Sequence, residues 1–131
     1  MYLRFITPNP VDGMHSRQGF FDAAWDMVED ASADQFTVSQ VKRVLQWYAD
    51  NLNIPDRFSR TKSAGWYRRD TRGLSWFKPT ATDHIRHGFE LKSLLDQNGY
   101  PIEIIKADRI GYVIYQDEYQ VVAEPFADTV S

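Results

Sequence analysis

The chain has 131 residues, 18 acidic and 15 basic, for a net charge of −3, and 43% of its residues are hydrophobic and 15% aromatic. That length suits one domain able to bury roughly two-thirds of its unfolded surface, and the composition excludes disorder except at the ends. There is no cysteine, which excludes disulfides, thiolate metal sites and a cysteine nucleophile.

Residues 2–6 alternate around Arg4 and predict a short first strand closed by Pro8 and Pro10. Residues 8–19 read as a polar loop. Phe20, Ala24, Met27, Val28 and Ala31 then recur at helical spacing, predicting a helix over 20–31 with Trp25 contributing to the core. In the next helix Thr37 is the expected N-cap, with Phe36 stapled against Val41. Its apolar stripe is Val38, Val41, Val44, Leu45, Tyr48 and Leu52, with Trp47 at the edge, and it ends near Asn53.

Residues 54–73 show no periodicity. Leu74, Ser75, Trp76 and Phe77 predict a short strand stopped by Pro79. Thr80 or Thr82 can cap a third helix running to about Asn98, with Gly99 as a left-handed C-cap. Its inward stripe is Ala81, Ile85, Gly88, Leu91 and Leu95. A strand through Ile102, Ile104 and Ile105 leads into a hairpin made by the runs 112–115 and 119–123, with a three- or four-residue turn. The first run is apolar on both faces, which predicts a strand with a neighbour on each side. In the second, Tyr119, Val121 and Ala123 share a face, and Gln120 and Glu124 mark the other as partly wet.

Strand, helix, helix, strand, helix and three strands predict one α+β domain over 1–131. Its small, mostly antiparallel sheet of about five strands would carry three helices packed on one face. The line SWFKPTATDHI, then a helix closed by Gly99, then GYVIYQDEYQVVAEPF resembles a group of short bacterial proteins to which no activity is assigned, with YLRFITP corresponding at the start. The resemblance covers the C-terminal half. It implies a bacterial or phage-type origin and no mechanism.

Charge is unevenly distributed. Seven basic and two acidic residues lie in 54–78, a local +5 that leaves −8 for the rest. Within this segment Arg57, Arg60, Lys62, Arg68, Arg69 and Arg72 are interleaved with Phe58, Trp66 and Tyr67. Arginine, tryptophan and tyrosine are the residues enriched at protein-binding hot spots, so a contact with an acidic partner protein, or self-association, is the first expectation. Guanidinium groups and stacking rings also suit RNA or single-stranded DNA, which is the alternative, although the chain is acidic overall.

His84 and His87 stand one turn apart on the third helix, and one of them could serve as a general acid or base. They do not assemble a metal-ligand set with Asp83 or Glu90, and no nucleophile elbow, phosphate-cradling loop or dinucleotide fingerprint occurs. No metal and no cofactor is expected. No apolar run approaches the ~20 residues of a membrane span and no signal peptide is visible, so a cytoplasmic location without membrane contact is expected.

Overall fold

A computed structural model of the chain describes residues 1–11, 16–53, 73–127 and 129–131. Six strands and three helices follow in the order β1 (Tyr2–Pro10), β2 (Arg17–Gly19), α1 (Phe20–Glu29), α2 (Gln35–Asn51), β3 (Leu74–Phe77), α3 (Thr82–Asp96), β4 (Glu103–Ala107), β5 (Tyr112–Gln116) and β6 (Gln120–Glu124). All strand pairs are antiparallel, and β2, β1, β3, β6 and β5 are neighbours in that order. Leu3 is paired with both Phe77 and Lys106, and Ile6 with both Gly19 and Glu103. A strand has only two edges, so β4 runs along one edge of β1 while β3 and β2 share the other. These two diverge, leaving a fork beside Arg4 and Phe5.

Strand alternation divides the core in two. Phe5, Phe77 and Ile104 face the helices, where they meet Phe20, Ala24 and Met27 of α1, Val41, Val44 and Tyr48 of α2, and Leu91 and Leu95 of α3. The rings form a continuous set, with Phe5 stacked on Phe20 at 4.6 Å and edge-on to Phe77 at 6.1 Å. Fully burying a side chain such as Leu91 or Leu95 contributes roughly 1.5–3 kcal/mol. Gly88 lets α3 lie on this aromatic layer, because a Cβ there would stand 2.6 Å from Phe5 Cε2. On the opposite face Trp76, Ile110, Val121 and Ala123 form a smaller cluster.

The three-helix, mostly antiparallel α+β arrangement is the one the sequence predicts, with corrections. The sheet has six strands because Arg17, Gln18 and Gly19 pair with β1, within the stretch read as loop. β1 continues through both prolines. Pairing with β2 holds at Ile6 and Pro10 with an irregularity between them, as expected where Pro8 has no N–H to offer. Trp25 is 53% exposed, because it is rotated off the stripe of Phe20, Ala23, Ala24 and Met27.

The α2 cap is Asp34, whose carboxylate accepts from Thr37 N at 3.0 Å and Thr37 Oγ1 at 2.9 Å. Phe36 thus lies inside the first turn, exposed and unable to act as a staple. α3 starts at Thr82 without a side-chain cap, and Gly99 does take the left-handed conformation, at φ +85°. The turn between β5 and β6 has the three residues expected. The hairpin is inverted in burial, however: β5 is an edge strand with Tyr112 and Val113 exposed, while Gln120, Val121, Val122 and Ala123 of β6 are all buried. β3 pairs with β6 rather than β5, so β6 has a neighbour on each side. No helix among the described residues is long and apolar enough to cross a membrane.

Candidate functional site

The basic–aromatic residues Arg57, Arg60, Lys62, Trp66, Tyr67, Arg68, Arg69 and Arg72 lie outside the described residues. The two places where that segment joins the body are described. At its start, Asn53 O accepts from Gln120 Nε2 at 2.6 Å, and two residues earlier Asn51 O accepts from His84 Nε2 at 2.8 Å. The end of α2 is therefore tied to both α3 and β6. At its close, Gly73 packs directly under β5 and β6, where a Cβ would meet Val122 Cγ1 at 2.5 Å and Ile114 Cδ1 at 2.6 Å. Both roots are held by packed elements, one at the Gln120 end of the β3–β6 pairing and one at its Ala123 end.

Beside Asn53 lies a polar hollow of about 430 Å³ lined by Asp50, Asn51, Asn53, Asp117, Glu118 and Tyr119. Asp117 organises the turn above it, accepting from Tyr119 N at 2.9 Å, Gln120 N at 3.0 Å and the Tyr115 hydroxyl at 2.8 Å. Partial burial pushes the Asp117 carboxyl up. These bonds, each strongest to the ionised form, outweigh it and hold the group below its ordinary range.

The histidines are brought together as parts of an aromatic wall. His84 is buried, its ring stacked on Tyr119 at 4.2 Å and edge-on to Trp47 at 4.8 Å. His87 stacks on the other side of the arrangement, 3.6 Å from the Trp47 ring, and its Nδ1 donates to Asp83 O at 2.7 Å. The Tyr48 hydroxyl, pushed up by burial and by Glu90, donates to His84 O at 2.6 Å. Each imidazole thus has a ring partner and a carbonyl partner, an arrangement that joins α2, α3 and the β5–β6 turn. Among the described residues no group of three or more His, Asp or Glu side chains could hold a metal ion.

One residue escaped the reading of the sequence. Arg4 of β1 is only 5% exposed; its Nη2 donates to Arg17 O at 2.5 Å, and its Nη1 is buried without a hydrogen-bond partner among the described residues. Burial pulls the guanidinium down to about 10, with Asp22 opposing and Arg17 adding to the shift. Its signal was a lone arginine within an otherwise apolar strand, YLRFI. No family model, no curated protein and no solved structure matches the chain.

Proposed function

We propose that the protein is a non-catalytic binding module that contacts an acidic surface of a partner protein through residues 57–72. The observation that carries this reading is the partition of charge. Outside 54–72 and the two other undescribed stretches, 12–15 and 128, the body bears fourteen acidic and nine basic residues, whereas 54–72 holds six basic and two acidic ones. An acidic body repels a polyanion as large as nucleic acid but leaves a local basic segment free to pair with a discrete acidic patch. The packed roots at Asn53 and Gly73 support presentation from a rigid scaffold. His84 and His87, the candidates for acid–base chemistry, are engaged by Trp47, Tyr119 and backbone carbonyls, which favours binding over catalysis.

The test compares the wild-type chain with a variant carrying Arg68→Ala, Arg69→Ala and Arg72→Ala. A co-purifying protein is identified, purified and titrated back against both. The expected outcome is saturable binding by the wild type that is about tenfold or more weaker in the variant, the scale of losing one to two hot-spot contacts. A parallel anisotropy titration with single-stranded RNA and DNA decides the alternative. Binding whose log–log salt slope falls by about 2–3 in the variant would replace the protein partner with nucleic acid.

A further inference from the structure

The fork between β2 and β3 holds a cavity of about 490 Å³, in the size range of small-molecule sites. We propose that it binds the carboxylate of a small organic acid with an apolar body. The first observation is Arg4, which lines the cavity, is only 5% exposed, and has an Nη1 without a hydrogen-bond partner among the described residues. Among the described residues no ion pair joins it to a carboxylate. Asp22 acts on it only from beyond ion-pair distance, and a buried cation so incompletely balanced points to an anion that completes it.

The second, independent observation is the start of α1. Gly19 is the N-cap and supplies no side chain to the first-turn N–H groups, and Gly19, Phe20, Phe21 and Asp22 all line the same cavity. An uncapped ten-residue helix opens onto the cavity that Arg4 lines, and both favour negative charge there.

The remaining walls choose among anions. Phe5, Leu74 and Phe77 are apolar and suit a hydrocarbon body. Asp22 at the exposed rim repels a second negative charge, and the one unpartnered nitrogen of Arg4 matches a single carboxylate rather than the many acceptors of a phosphate dianion. The room beside Gly19 is real: a Cβ there would stand 3.9 Å from Phe5 O and 4.0 Å from Arg4 Nη2, ordinary contacts.

The experiment is an amide-resolved NMR titration of the full chain with phenylacetate, and with phenylacetamide as its neutral isostere. The expected result is saturable shifts at Phe20, Phe21 and Asp22 with phenylacetate, and about tenfold or more weaker binding of the amide, the scale of a lost charge-assisted bond. Arg4→Gln should lose the phenylacetate response. Because that variant alters a buried strand position, Gly19→Asp provides the second arm. It places a carboxylate of the chain's own beside Arg4 and caps α1, so the protein should stay folded while phenylacetate binding weakens by a similar factor. The proposal is overturned by equal affinity for acid and amide, by unchanged binding in folded Gly19→Asp, by inorganic phosphate displacing phenylacetate at lower concentration, or by no saturable shift at all. None of these outcomes depends on residues 57–72, so this site stands or falls apart from the partner contact.

Discussion

Two buried polar side chains flank β3, Gln120 on β6 and Arg4 on β1, and they are treated in opposite ways. Gln120 is 2% exposed and fully engaged: its Oε1 accepts from Ser75 Oγ at 2.8 Å, and its Nε2 donates to Asn53 O at 2.6 Å and Asp117 Oδ2 at 3.3 Å. Arg4 is buried almost as deeply, yet among the described residues its side chain makes one hydrogen bond and leaves Nη1 without a partner. A buried polar group whose valences are all met works as a clasp. One whose valences are unmet stores a cost that either evolution tolerates or a ligand relieves. The first ties the end of α2 to the sheet; the second lines a cavity.

The largest effect expected from this contrast is at the clasp. Gln120→Leu keeps the volume and leaves Asn53 O and the Ser75 hydroxyl without their partner, so it should lower unfolding free energy by about 1–3 kcal/mol, read from denaturant melts. Arg4→Met should cost less than about 1 kcal/mol, because the loss of one bond to Arg17 O is offset by removing a buried charge that Asp22 balances only in part. Equal losses in the two variants would abolish the distinction, and a larger loss at Arg4 would reverse it.

A smaller, pH-dependent effect sharpens the clasp side. The folded Asp117 carboxyl lies below its unfolded value, so its contribution is fully present above the unfolded value of about 3.9 and is lost as pH falls through the folded one. Asp117→Asn should therefore be less stable than the wild type near neutrality, with the gap closing in acid below about pH 4. Asp30 and Asp34 are also held low by hydrogen bonds, so it is the difference between the two proteins, rather than the wild-type acid limb, that isolates Asp117. A gap that stays constant into acid would show that the turn is held by its backbone alone.

Local pattern made most of this architecture legible. The stripes of α2 and α3, the left-handed Gly99 and the three-residue hairpin turn are short-range features, and each follows from spacing or backbone conformation. What stayed hidden depends on distant neighbours. Tyr112 and Val113 read as buried because they are apolar, but whether a strand has one neighbour or two is decided by β3, more than thirty residues earlier. Gln120 read as wet because it is polar, although Asn53 and Ser75, both remote in sequence, satisfy it. Arg4 gives no local sign of its place for the same reason: only the divergence of β2 and β3 makes its position a cavity wall. The basic segment was legible as charge, which needs no structure to be counted.

The smallest effect tests the other half of the Arg4 argument, that the first turn of α1 has donors to spare. Gly19 has φ −72° and ψ 160°, an extended conformation open to any residue, and the space at its Cβ is free of close contacts. Gly19→Ser supplies a hydroxyl acceptor at the N-cap, and exchanging glycine for serine there is worth only a few tenths of a kcal/mol. For a domain of this size that corresponds to a rise in Tm of roughly 1–2 °C, within reach of calorimetry. A rise would mean that the N–H groups facing the cavity are unserved in the free protein, as an anion site requires. A fall would mean that they already have partners, and Arg4 alone would then have to account for any anion the cavity binds.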